Sequence, residues 1–382
     1  MKLRMGMIGG GKGSFIGPVH RMAARLDGMI ELVSGAFSSN PEISLVTGFQ
    51  EGLNRERIYA SWQEMLKRES ALPDETRPHF IAIVTPNHLH YSQAKMSLDE
   101  GFNVLCDKPL CISVAEAIDL YETVQRNGKL FCLTHNYTGY PMVKRAREMV
   151  ASGEIGTIRK IAVEYFQGWL SSAVERTGNR QAEWRADPER AGIAGTMADI
   201  GTHAFNLAEY ISGLEVTELS ADLHSVLPGR ILDDDGGIFL RFNHNITGTL
   251  LASQIALGEE NNLNIRIYGD KGSLSWYQME PNNLIVRWPD KPVQIYRTGT
   301  SFSALGSAAP LNTRTPAGHP EGFIEAFGNL YRNFASHIIA VMEGRNQAAL
   351  LDYPGISEGV RGMKFLEATV ASATDDSTWK SL

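Results

Sequence analysis

Cysteine is scarce. Three residues in 382, Cys106, Cys111 and Cys132, form no C-x-x-C pair and no array with histidine, so no metal centre is expected. The thiols read instead as buried side chains of a reducing compartment. Long apolar runs are missing too. No segment approaches the ~18 apolar residues of a spanning helix, and the run after "MKLR" is broken by Gly9 to Gly11, too early for a signal-peptide core. A soluble, cytoplasmic protein without a membrane partner is the expectation. Runs of lysine and arginine are absent, and the formal net charge is −7, so nucleic acid is not an expected partner.

What is present suits a two-domain chain, because 382 residues exceed the roughly 250 to 300 at which one core stops growing. From residue 1 to 136 the short apolar runs "LRMGMI", "IELVSGAF", "HFIAIVT", "FNVLC" and "KLFCLTHN" alternate with amphipathic stretches. This is the pattern of buried parallel strands with crossover helices, an α/β doubly wound domain of the Rossmann kind. Residues 137–382 carry longer strand-like segments, "TIRKIAVEYFQGW", "GGIFLRFNHNITGTLLASQIAL" and "NIRIYGDKGSLSWY", with turn signals at "NHN" and "GDKG". They predict an α+β domain with a large, mostly antiparallel sheet. The helical stretch "GFIEAFGNLYRNFASHIIAVMEG" reads as the element that closes the chain.

The first strand runs into "GGGKGSFIGPVH". A strand, a glycine turn and a helix place free N–H groups and the positive helix end at one point, which suits a pyrophosphate. The literal template G-x-G-x-x-G on Gly9 and Gly11 puts Ser14 where the third glycine belongs. With three residues inserted after Gly11 the third small position becomes Gly17, and Ser14, Phe15 and Ile16 form an enlarged loop that can offer the Ser14 hydroxyl to phosphate. Any tight βα turn can carry glycines, but the first βα junction is where a dinucleotide binds. The usual acidic residue after the second strand is missing: "AFSSNP" presents Ser38, Ser39 and Asn40, with no Arg or Lys beside them. NAD is therefore expected over NADP, which stays open.

Four further motifs resemble the Gfo/Idh/MocA family of sugar and cyclitol dehydrogenases: "TPNHLH", the tripeptide Asp107-Lys108-Pro109, "GTMADIGTHAFNLAEYISG" and "IYGDKGSL". They span nearly the whole chain in the family's order. Asp107 stands where the family usually has glutamate. The loop "GSFIG", with "QAEWRADP" and "HPEGF", is similar to the branch of levoglucosan, pyranose and inositol dehydrogenases. The resemblance implies cofactor contacts from Gly9, Gly11, Ser14, Phe15, Ile16, Ser38, Thr85, Pro86, Asn87, His90, Asp107, Lys108 and Asn136. It also implies a homodimer or homotetramer.

Oxidising a secondary alcohol needs a base for the hydroxyl proton and a partner for the developing alkoxide. Lys108 follows a predicted strand end, where open α/β sheets bind ligands, and an ammonium there can hold the reacting oxygen; the alternative is a surface ion pair with Asp107. Asp199 and His203, four apart at a predicted helix start, project from one face. His203 suits proton transfer near neutrality; the alternative is a helix-start carboxylate and a packed core histidine. By the resemblance Asp199 binds a substrate hydroxyl, His203 is the acid/base, and Tyr137 lies beside nicotinamide and substrate. Trp184 and Arg185 offer a sugar-stacking face and a donor, or simply packing, and His319 reaches the sugar or is solvated.

The expected activity is hydride transfer between a secondary hydroxyl of a pyranose, anhydrosugar or inositol and NAD. Two alternatives stay open at this point: a glycosidase of the same family that uses NAD for transient oxidation, and a non-catalytic NAD-binding sugar sensor.

Overall fold

A computed structural model describes residues 2–299, 305–345 and 352–382. The described chain falls into two compact units, one of residues 1–136 and 323–360, the other of residues 137–322 and 361–382.

The first unit is a Rossmann sheet. Strands β1 (Leu3–Gly9), β2 (Ile30–Ala36), β3 (Phe80–Val84), β4 (Asn103–Cys106) and β5 (Phe131–Leu133) run parallel in the order β2-β1-β3-β4-β5. All five residues of β3 are buried, as a strand covered on both faces requires. The crossover helices start and stop where the sequence supplies caps. Ser113 accepts from the Glu116 N–H at 3.2 Å at the head of helix Val114–Asn127, and Gly128 ends it at φ +61°.

One expectation is corrected here. The helix Phe323–Met342 does not close the second domain; it belongs to the first unit. Its stripe of Phe327, Leu330, Tyr331, Phe334 and Ile338 is buried in the core with Leu3, Val19 and Phe80, and the Phe334 ring stands edge-on to Phe80 at 5.5 Å. Nor is it the last element. The helix Ile356–Ala373 and a short strand at the C-terminus follow it.

In the second unit, strands β6 (Ile158–Phe166), β7 (Val216–His224), β8 (Asp235–Phe242), β9 (Ile246–Ser253), β10 (Asn262–Gly269), β11 (Ser273–Tyr277), β12 (Asn283–Arg287), β13 (Gln294–Arg297) and β14 (Lys380–Ser381) form one sheet. The order is β13-β12-β11-β10-β6-β9-β8-β7-β14, antiparallel except between β6 and β9. The "NHN" turn joins β8 to β9 with His244 and Asn245 at φ +60° and +59°, left-handed pairs that match the twist of a hairpin. Ile265 and Ile267 of β10 are buried on one face, while Arg266 on the other pairs with Glu164. Helices Pro141–Ala151 and Thr202–Ser212 bury residues from most of their turns.

Among the described residues no helix is long and apolar enough to cross a membrane, and no group of His, Cys, Asp and Glu could hold a metal ion. The three thiols are buried and free of disulfides.

Two histidines of the first unit make the fold acid-sensitive. His20, fully buried with Nδ1 at 2.8 Å from the Tyr331 hydroxyl, is pushed down to about 4, and His135 to about 3, in both cases chiefly by burial. Below its ordinary value near 6.5 each imidazole takes a proton in the unfolded chain but not in the folded one, so stability falls with pH by up to ~1.4 kcal/mol per pH unit per group. This stabilisation is complete above about pH 6.5 and is lost toward pH 4. Melting curves across that window are expected to show the decline, and His20→Gln to reduce its slope. An unchanged slope would mean that His20 is protonated in the folded protein.

Candidate active site

The glycine turn is built for close backbone approach. Gly9 and Gly10 lie at φ +85° and +74°, where residues with a Cβ are strained. A Cβ on Gly17 would stand 2.4 Å from the Gly10 Cα, so the shifted frame does bring the helix Ile16–Arg25 onto the turn. Several N–H groups are consumed internally. Gly11 donates to the Phe37 carbonyl at 2.9 Å, Lys12 to Thr47 Oγ1 at 3.1 Å and Ser14 to the Gly11 carbonyl at 2.9 Å, while Ser14 Oγ accepts from the Gly17 N–H at 3.2 Å. Arg21, buried one turn into the helix, donates to the Gly10 carbonyl at 2.7 Å and pairs with Glu51 at 2.6 Å. The helix start at Phe15 and Ile16 has no side-chain cap, and such an uncapped end suits an anion. At the end of β2, Ser38 Oγ accepts from the Asn40 N–H at 3.1 Å and Asn40 caps the next helix.

The turns after β3 and β4 are tied together by His90. Its Nδ1 lies 2.7 Å from the Pro109 carbonyl and its Nε2 2.8 Å from the Thr85 carbonyl. Burial holds this imidazole below its ordinary pKa. His90 was expected at the cofactor; the structure sets its ring between these two carbonyls, and a neutral imidazole has one N–H to give to one of them. Thr85 Oγ1 donates to buried Gln93 at 2.7 Å, and Pro86 leads into the short turn that starts at buried Asn87. Asp107 accepts from the Lys108 N–H at 2.9 Å and from Thr134 Oγ1 at 2.7 Å, so the shorter carboxylate still closes its turn. Lys108 is half-buried, and its charge adds to burial in lowering His135. Asn136 is buried with its Nδ2 lacking a hydrogen-bond partner, an orphan donor of the kind a ligand satisfies.

In the second unit, Asp199 does not sit in an α-helix. Residues Met197–Gly201 form one π-helical turn that feeds the helix Thr202–Ser212, a bulge frequent at functional sites. Half-buried Asp233 pins that turn by accepting from the Gly195 and Met197 N–H groups at 2.6 and 2.8 Å. Asp199 Oδ2 receives Arg185 Nε at 3.0 Å and Gln254 Nε2 at 2.9 Å. The Arg185 guanidinium lies over the Trp184 ring at 4.2 Å. His203, 7 % exposed, meets the Tyr137 ring edge-on at 4.8 Å.

Asp199 and Tyr137 stand at the two ends of one chain of hydrogen bonds, and Trp184 and His203 join those ends by ring contacts. Gln254 Nε2 donates to Gln167 Oε1 at 3.1 Å, Gln167 Nε2 to Asn261 Oδ1 at 2.7 Å, and Asn261 Nδ2 to the Tyr137 hydroxyl at 3.1 Å. The Tyr165 hydroxyl donates to Asn261 Oδ1 at 2.6 Å and contacts Tyr137. Asp199, His203, Arg185, Trp184 and Tyr137 are thus brought together. His319 is not: it stands exposed in a loop fastened by Glu321, which accepts from the Thr315 N–H at 2.7 Å. Sequence reasoning missed Arg21, Gln167, Gln254 and Asn261. "HR" beside the glycine turn was a signal for the first; the amides carry no spacing signature.

A turn cleared of side chains and a buried orphan amide, both in the first unit, fit a dinucleotide. They define the class as an NAD-binding oxidoreductase. The chain belongs to the Gfo/Idh/MocA family: residues 3–135 match its NAD-binding Rossmann fold and residues 143–275 its C-terminal domain. An inositol dehydrogenase homologue from Azotobacter vinelandii, solved with NAD+, is 32% identical over 100% of this chain and 98% of its own, with a TM-score of 0.94. An oxidoreductase from Sinorhizobium meliloti is 41% identical over 100% and 99%, with a TM-score of 0.89. The levoglucosan dehydrogenase of Pseudarthrobacter phenanthrenivorans is 26% identical over 71% of this chain and 73% of its own.

Proposed function

We propose that this protein is an NAD-dependent dehydrogenase of a secondary hydroxyl on a pyranose, anhydrosugar or inositol. The observation that carries the reading is the wall of neutral amides and phenols around one ion-paired carboxylate, Asp199, beside His203. Such a wall matches a ring bearing several hydroxyls. Bound NAD supplies the hydride acceptor. Gly9, Gly11, Ser14, Phe15, Ile16 and Ser38 hold its adenosine and pyrophosphate side, and Thr85, Pro86, Asn87 and Asn136 its nicotinamide side. No Arg or Lys adjoins Ser38 in the sequence to favour a 2'-phosphate, so NAD is preferred.

His203 takes the hydroxyl proton in oxidation and returns it in reduction. Lys108 holds the oxygen while its charge develops, and Asp107 orients Lys108 through its N–H. Asp199 accepts from a second hydroxyl, Arg185 and Trp184 face the ring, and Tyr137 backs His203. The setting is cytoplasmic, in keeping with three free thiols. The protein also self-associates through the sheet, whose β8 and β9 expose Phe239 and Leu251.

The test is a panel of inositols, pyranoses and anhydrosugars with NAD and with NADP, followed at the NADH absorbance. The expected result is net NADH from at least one of them, faster with NAD, from a protein that sediments as a dimer or tetramer. No turnover across the panel would remove the dehydrogenase reading, and a monomer at micromolar concentration would remove the assembly.

A further inference from the structure

The chain of hydrogen bonds behind Asp199 has a direction, and Gln254 sets it. An ionised carboxylate only accepts, so the Gln254 group at 2.9 Å from Asp199 Oδ2 is the NH2. Its oxygen then accepts from Thr196 Oγ1 at 3.0 Å. The Trp169 indole only donates, and its N–H reaches Gln167 Oε1 at 3.0 Å, which fixes Gln167 in the same sense from a separate end. Gln167 therefore donates to Asn261 Oδ1, and Asn261 donates to the Tyr137 hydroxyl. Tyr165 has one proton and gives it to Asn261 Oδ1, so Tyr137 donates to Tyr165. The Tyr137 proton is spent inside the wall. Its ring is left to support His203.

We infer that Gln254 is a positioning residue: through one buried side chain, 2 % exposed, it holds the Asp199 carboxylate against Arg185 and orients the amides out to Tyr137 behind His203. The inference rests on the reading of Asp199 as the acceptor of a substrate hydroxyl. Glutamine is needed at this position because one group must donate twice, to Asp199 and Gln167, while its other end accepts. A carboxyl of the same shape does this work only when protonated, and then once.

That difference supplies the test. Gln254→Leu is expected to raise the polyol KM by at least ~10-fold, more than it lowers kcat. Gln254→Glu places a second carboxyl at donor distance from Asp199, and one of such a pair titrates above the ordinary range. Relative to the parent at each pH, its kcat/KM is expected to be near parental at about pH 6 and at least ~10-fold lower at about pH 8. The parent's dependence on a base runs in the opposite sense. Other charges face this pair: Arg185 on Asp199, and Glu175, Arg230, Asp233 and Asp234 around a cavity that Gln254 and Arg185 also line. Their effect on parental activity divides out of the ratio, while on the introduced carboxyl the acidic groups raise its titration and the two guanidiniums lower it, so they set where between pH 6 and pH 8 the ratio falls. A Gln254→Glu enzyme with the parental KM and a flat ratio would overturn the inference.

Melting provides a readout that needs no turnover. Gln254→Glu is expected to lose more thermal stability at pH 8 than at pH 6, and Asp199→Asn to cancel the difference. A pH-independent loss in both backgrounds would overturn the contact itself. If Asp199→Asn and His203→Asn keep parental turnover, the dehydrogenase roles fail instead, and the melting cycle still decides the place of Gln254.

Discussion

Replacing His203 by asparagine is expected to lower kcat by about 100-fold or more while NADH affinity stays near its parental value. Asparagine keeps a polar group of similar breadth against the Tyr137 ring, which meets the imidazole edge-on at 4.8 Å, but it cannot accept a proton near neutrality. The variant should also lose an ionisation from the pH profile of kcat/KM for oxidation. Lys108→Met should depress turnover as well, by removing charge from the alkoxide, yet leave that ionisation in place. The two profiles together separate a base from an electrostatic partner. Steady-state kinetics over a pH series, with melting as a folding control, makes the comparison. A stably folded His203→Asn enzyme with near-parental turnover would return this residue to the role of a packed histidine and leave the proton acceptor to be found elsewhere.

The first domain was legible in the sequence because buried parallel strands are almost continuously apolar, as "FIAIV" of β3 shows. The helix Phe323–Met342 was legible as a helix but not as part of that domain. A stripe at Phe327, Leu330, Phe334 and Ile338 demands a core and does not say which one. The helix Ile356–Ala373 was missed, for Gly359 and Gly362 interrupt its pattern and lower its propensity. The π turn at Met197–Gly201 was hidden too, since Asp199 and His203 share a face in either kind of helix.

The candidate site divides in the same way. Titratable residues with a local motif, Lys108, Asp199, His203 and Arg185, could be picked out along the chain. The amides that orient them could not, because their partners lie far off in sequence: Gln254 meets Asp199 across 55 positions, Gln167 across 87, and Gln167 meets Asn261 across 94. A neutral side chain in a strand has no signature until the sheet register is known. Of the groups expected at phosphate, the Gly11 N–H goes to the Phe37 carbonyl inside the fold, whereas the Ser14 hydroxyl accepts from Gly17 and keeps its own proton to donate.

The largest binding effect is expected from a single methyl group, in Gly17→Ala. A Cβ at this position would lie 2.4 Å from the Gly10 Cα and 2.5 Å from its oxygen, both backbone atoms and both inside any tolerable contact. The turn has little room to yield. The Gly10 carbonyl is held by Arg21 at 2.7 Å and the next N–H by Phe37 at 2.9 Å, so moving one peptide plane breaks bonds at both ends. The helix must then shift away, carrying the Phe15 and Ile16 N–H groups off the anion position. NADH affinity should fall by ~100-fold or more, about 2.7 kcal/mol. Gly362→Ala, in a helix with nothing within 4 Å of the added Cβ, should leave affinity unchanged and gain up to ~1 kcal/mol of stability. Gly11→Val attacks the same turn from the β2 side, where its Cβ would lie 2.8 Å from the Phe37 carbonyl. NADH fluorescence titration of the three variants, beside their melting curves, decides the matter: folded Gly17→Ala and Gly11→Val proteins that bind NADH as the parent does would show that the nucleotide is held somewhere other than this turn.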